Sequence, residues 1–210
     1  MKELDLLKKD WQKNSDSFQQ ISENEIYKMI HRKSSSIVKW ILIISILEIS
    51  FWTFSNLFIN TDDVLRKMNH PEIVTALEFL TYFNYVVVLI FVYIFYKNYR
   101  TISTTIATKS LMSAILKTRK TVQYYVWYNL GMIVITAILS FFIAFVYNPD
   151  MEFLREKLAM NGKAMFVTIG ILFLVILGFF GLFWCFYRII YGTLLRRLYA
   201  NYKELKKIDF

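Results

Sequence analysis

The chain has 210 residues, 56% hydrophobic, 18% aromatic and 20% charged, with a formal net charge of +9. Mean hydropathy is +0.40. This composition excludes disorder, a collagen-like fibre and a disulfide scaffold, and one cysteine, Cys185, excludes an internal disulfide and a cysteine-based zinc cluster.

Residues 1–36 read as cytoplasmic N-terminal helices. Over 1–14, Leu4, Leu7 and Trp11 share a face at helical spacing, and Ser15, Asp16 and Ser17 end that pattern. Ser22 and Glu25 make a capping box, and Ile21 with Ile26 a hydrophobic staple. No Gly or Pro lies between Glu23 and Phe58, so one unbroken helix is expected to lead into the membrane.

A span needs about 20 apolar residues to cross roughly 30 Å of hydrocarbon. Four stretches meet that length, at about 38–58, 77–96, 125–147 and 165–187. The fold class expected is an all-α membrane protein with a four-span bundle over 37–190. The first apolar run begins near residue 37, later than a signal-peptide core would, so the first span is expected to be a retained anchor. Pro71 suits the first position of the second helix. The loop 97–124 is expected in the cytoplasm. Its Ser/Thr cluster at 101–110 gives way to Leu111, Ala114 and Ile115, a helix extending below the membrane into the third span. Beyond Asn148-Pro149, Met151, Leu154 and Leu158 share a short interfacial helix, and Asn161-Gly162 supplies a stop.

Residues 191–210 read as a cytoplasmic C-terminal helix. Tyr191, Leu195, Leu198, Tyr202 and Leu205 follow spacings of 4, 3, 4 and 3, a coiled-coil-like seam of about two heptads. That is too short to stand alone. It should pack on the N-terminal helices or on the extended middle helices.

Of 25 Lys and Arg, 20 lie before the first span, between the second and third, or after the fourth. The other two loops hold five. Both termini and the middle loop are therefore expected on the cytoplasmic face. This placement also accounts for the net positive charge, which meets anionic lipid. No nucleic-acid partner is expected.

Glu48 is the most informative residue. It lies ten residues beyond Val38, about 15 Å into the membrane by helix rise. A carboxyl group there is costly and faces the bundle interior. At similar depth lie Asn84, Thr136 and Ser140, and no Lys or Arg. Glu48, Asn84 and Thr136 thus form a candidate intramembrane polar site. It reads either as a proton or ligand site or as a protonated packing contact. Asn56, Asn84 and Asn129 suit interhelical amide bonds. Gly170, Gly178 and Gly181 allow close helix approach, within the chain or between two copies. Cys185 reads as a small apolar filler, and the fourth span's aromatics, Tyr187 included, as lipid and belt contacts. Asp62-Asp63 and the group Asp150, Glu152 and Glu156 read as solvated loop charge. His31 and His70 fall on opposite sides of the membrane, so no metal site is expected, and no cofactor or catalytic motif is visible.

Three stretches carry a family likeness: 7–11 (LKKDW), 26–48 (IYKMIHRKSSSIVKWILIISILE) and 116–130 (LKTRKTVQYYVWYNL). Together they resemble a family of small uncharacterised integral membrane proteins of flavobacteria and other Bacteroidetes. Some of its members carry the label beta-carotene 15,15'-monooxygenase. That label implies a β-propeller with iron on four histidines, and this chain has two histidines. The layout is also similar to a membrane-anchored anti-sigma factor, without its zinc-binding cluster.

The first functional expectation is a non-enzymatic regulatory or scaffolding protein. Its face of Leu4, Leu7 and Trp11 would bind a soluble cytoplasmic protein, unless that face packs on the C-terminal seam instead. The alternative is a small transporter or proton-coupled sensor using Glu48. A lipid- or isoprenoid-modifying enzyme ranks third, since no acid–base pair accompanies it.

Overall fold

The computed structural model describes residues 22–58 and 70–208. These form four long helices: α1 (Glu23–Phe58), α2 (Pro71–Thr104), α3 (Thr108–Tyr147) and α5 (Gly162–Ile208). A 3-10 turn (Pro149–Met151) and a short helix α4 (Glu152–Met160) join α3 to α5. The four long helices are each long and apolar enough to cross a membrane. The residues Leu4, Leu7 and Trp11, the Ile21 staple and Asp62-Asp63 lie outside the described residues.

Local chemistry sets the helix ends. Ser22 and Glu25 close the expected capping box. The Ser22 backbone N–H donates to Glu25 Oε2 at 3.1 Å, and the Glu25 N–H to Ser22 Oγ at 3.3 Å. Pro71 opens α2 as expected. The polar cluster near 101 ends α2: Thr104 Oγ1 donates to the Arg100 carbonyl and Thr105 Oγ1 to the Thr101 carbonyl, satisfying the final turn locally. Only residues 105–107 separate α2 from α3, so the stretch 97–124 is almost wholly helical. Arg155 reaches back to the carbonyls of Phe145 and Val146 and caps α3.

Asn161 alone divides α4 from α5. Its side-chain oxygen accepts the Ala164 N–H at 3.3 Å, so it starts α5, and Gly162 is the first helical residue rather than a stop. The C-terminal stretch from 191 continues the fourth span without a break, in a helix of 47 residues. At 1.5 Å per residue that is about 70 Å, roughly twice the hydrocarbon thickness. The surplus lies at the end where α1 begins and α5 ends and forms a helical stalk.

The long helices run up and down, in the cyclic order α1, α2, α3, α5. Their buried positions follow a heptad-like seam. In α1 these are Ile30, Ser34, Val38, Ile41 and Ser45; in α3, Leu111, Ile115, Thr118, Val122 and Tyr125. In α5 they are Tyr187, Tyr191, Leu198, Asn201 and Leu205. The expected C-terminal seam is thus present, with Asn201 rather than Tyr202 on its buried line. It packs on Ile30 of α1, Ile102 of α2 and Leu111 and Ile115 of α3. The docking partner of that seam is the chain's own stalk.

Among the described residues, burial in the long helices is confined to 30–45, 88–102, 111–130 and 187–205. Past those points the helices meet along narrow lines. On α5 the half-buried residues Ala164, Thr168, Leu172, Ile176 and Phe180 recur every fourth position, while Phe166, Phe173 and Leu174 are exposed. That apolar exterior suits lipid tails. A Cβ added at Gly170, Gly178 or Gly181 meets nothing within 4 Å. Among the described residues these glycines therefore bring no helices together, contrary to the expectation of close packing within the chain. Cys185 is likewise exposed rather than a core filler.

Candidate functional site at Glu48

Glu48 ends the α1 seam, three residues after Ser45 and seven after Ile41. That register turns its carboxyl inward. On α5, Tyr187 and Tyr191 are four apart and share one helix face. Both point at the same carboxylate. Tyr187 Oη donates to Glu48 Oε1, and Tyr191 Oη to Oε2 at 3.3 Å. From α3, Tyr125 Oη donates to Oε2 at 2.8 Å. Three helices thereby meet on one acid.

The tyrosine rings are held by their neighbours. Tyr125 packs edge-on against Phe91, Phe95 and Tyr191, with ring centroids 5.4, 5.4 and 5.8 Å away. Tyr187 stacks on Tyr191 at 5.9 Å. The hydroxyls are therefore presented by a packed aromatic layer rather than by mobile side chains.

Magnitudes decide what this cage does. A carboxylate at mid-membrane costs about 2.5–3.5 kcal/mol on insertion scales. A hydrogen bond to a charged group returns about 1.5–3 kcal/mol. Three donors offset part of the insertion cost. They can solvate a negative charge without neutralising it, and among the described residues no Lys or Arg pairs with Glu48.

Beside the cage lies a cavity of about 210 Å³ between α1, α2 and α3. Glu48, Asn84 and Thr136 all line it, together with Trp52, Tyr85 and Asn129. The three residues singled out by depth thus share one cavity wall, but they do not bond to one another. Asn84 Oδ1 accepts from Tyr128 Oη at 3.0 Å, an interhelical amide contact of the expected kind. Asn129 Nδ2 donates to the Tyr125 carbonyl in its own helix at 2.8 Å. Thr136 Oγ1 bonds to the Met132 carbonyl at 2.6 Å. Ser140, at the same depth, is exposed and is not among the residues lining the cavity.

Depth alone predicts the partners of Glu48 among Asn84, Thr136 and Ser140. The structure supplies Tyr125, Tyr187 and Tyr191 instead. Tyr187, which reads from sequence as a lipid-facing aromatic, is 3% exposed. The available signal was the pair of tyrosines four apart on the extension of the α5 seam.

A family model described as "Domain of unknown function (DUF8845)" matches residues 24–210. The chain belongs to that family. The match begins at the first turn of α1 and includes Glu48, its three tyrosines and the whole stalk. Comparison with curated proteins gives no match, and neither does comparison with solved structures.

Proposed function

We propose that this DUF8845 member is a small transporter or proton-coupled sensor of the bacterial inner membrane, working through Glu48. One observation carries this reading: a carboxyl group with three tyrosine donors, and no Lys or Arg partner among the described residues, stands at the wall of a cavity. A packing acid would be satisfied and sealed. This one is satisfied on one side and open on the other. Intramembrane acids in such settings mark proton relays and ligand counter-ions.

The Lys and Arg distribution supports placing both termini and the 105–107 turn in the cytoplasm. The stalk would then stand in the cytoplasm and the Glu48 cavity within the bilayer. The seam of α5 is already occupied by the chain's own helices, which weakens the scaffolding reading. That reading now rests on Leu4, Leu7 and Trp11 alone. The likeness to flavobacterial membrane proteins supports the lineage and leaves the activity to the site.

Infrared spectroscopy of the protein in liposomes tests the reading. Across the pH range in which the protein stays folded, a carboxyl band should appear and vanish reversibly, and Glu48→Gln should lack it. A Glu48 band that never changes across that range would make the acid a packing residue.

A further inference from the structure

We infer that the Glu48 cavity binds a small organic monocation, an ammonium group carrying a compact apolar body. This deepens the reading of Glu48 as an exchange site and rests on it.

Three features of the wall select that ligand chemistry. The first is charge. Glu48 can supply a full negative charge, and among the described residues no Lys, Arg or His lines the cavity. An anion would find no cationic partner among the lining residues, and a neutral ligand would gain nothing from an ionised Glu48. The second is aromatic character. Trp52, Tyr85 and Tyr125 line the same space, and Trp and Tyr attract a desolvated cation through the ring quadrupole. The third is size and apolarity. The volume of about 210 Å³ and the lining by Leu80, Val88 and Ile133 suit an apolar group on the cation. A bare metal ion would leave that apolar wall without a function.

The cage makes the exchange with protons balanced. With the cavity empty, a proton on Glu48 neutralises the carboxyl. When the ammonium ion enters, the carboxyl O–H bond breaks and the proton passes to water at the cavity mouth. The ion pair replaces the O–H bond, and the net charge of the site stays at zero in both states. The three tyrosine hydroxyls donate to the carboxylate in the bound state; when the carboxyl is protonated, its own O–H needs an acceptor and one tyrosine hydroxyl turns to accept it.

Benzylammonium is a suitable probe, with benzyl alcohol as its neutral counterpart and benzoate as the anion. Binding to the purified full chain is read by Trp fluorescence and by proton release into weakly buffered solution. Benzylammonium should bind saturably and release close to one proton per site, while benzyl alcohol and benzoate release none. Glu48→Gln should lose both signals. Trp52→Leu leaves the carboxyl cage in place and should weaken benzylammonium about tenfold, the size of one desolvated cation–ring contact, as read by proton release.

Undiminished binding in Glu48→Gln overturns the proposal. Equal binding of benzyl alcohol and benzylammonium overturns it as well. Failure to bind any of the three probes, in a protein whose Glu48 band still titrates, removes the ligand class and leaves the exchange reading standing. A Glu48 band that does not titrate removes both.

Discussion

The two halves of the bundle solve different problems with the same four helices. In the stalk, Ile30, Ile102, Leu111, Ile115, Leu198 and Leu205 close an apolar seam. In the far half, α5 touches its neighbours along one line and shows Phe166, Phe173 and Leu174 outward. The stalk is built as an aqueous coiled-coil bundle is built. The far half carries an apolar surface suited to lipid and leaves a cavity between three helices. Glu48 and its tyrosines sit at the junction. The difference teaches that tight packing is concentrated toward the stalk end, while the far half leaves room between three helices for a polar site.

The sharpest way to break this contrast is to truncate one aliphatic side chain in each half. Leu198→Ala should cost about 2–5 kcal/mol, because a buried leucine leaves a cavity. Ile171→Ala, at an exposed position, should cost about 0.5 kcal/mol or less. Reversible unfolding in mixed micelles measures both. Equal losses would mean that the far half is packed as tightly as the stalk.

Tyr187→Phe comes next. It removes one donor from the caged carboxylate and should cost about 1.5–3 kcal/mol at a pH where Glu48 is ionised. Tyr191→Phe should cost less, since its 3.3 Å bond shares Oε2 with the shorter bond from Tyr125. A larger loss for Tyr191→Phe would reverse that ranking and point to ring packing as the dominant contribution.

The Asn201 Nδ2 to Ser34 Oγ bond, 3.0 Å long and buried in the stalk, is worth less. Asn201→Ala should cost about 1 kcal/mol, because the Ser34 hydroxyl can turn to a carbonyl of its own helix. Chemical denaturation of the variant checks this, and a loss several times larger would show a wider polar network.

The smallest effect belongs to Gly178→Ala. Nothing lies within 4 Å of the added methyl, so α5 should gain about 0.5–1 kcal/mol from reduced backbone freedom. Destabilisation, or a change in oligomeric state on size-exclusion chromatography, would reveal a second copy seated against that glycine.

Much of this fold was legible in the sequence because it rests on long-range regularities. Span length, the Ser22–Glu25 box and the 4–3 spacing of the α5 seam all come from period and local chemistry. Glu48 was legible for the same reason, since a carboxyl group in an apolar run has few places to go. Its partners were not. Depth along a helix follows from counting residues, but the direction a residue faces depends on how neighbouring helices are turned. That is why Ser140, at the right depth, faces outward, while Tyr187, one of many aromatics in its span, faces in. Gly178 and Cys185 misled for a related reason. Small residues permit close approach without compelling it, and the far half of the bundle does not use them so.

Carbodiimide labelling of Glu48 in membranes, read by peptide mass spectrometry, tests the central claim most directly. The reagent attacks a protonated carboxyl that is reachable from an apolar phase. An exchange site open to the cavity predicts that Glu48 is modified, faster as pH falls, and protected by benzylammonium. A Glu48 that stays unmodified at every pH, in a protein whose helices are intact, would contradict the account.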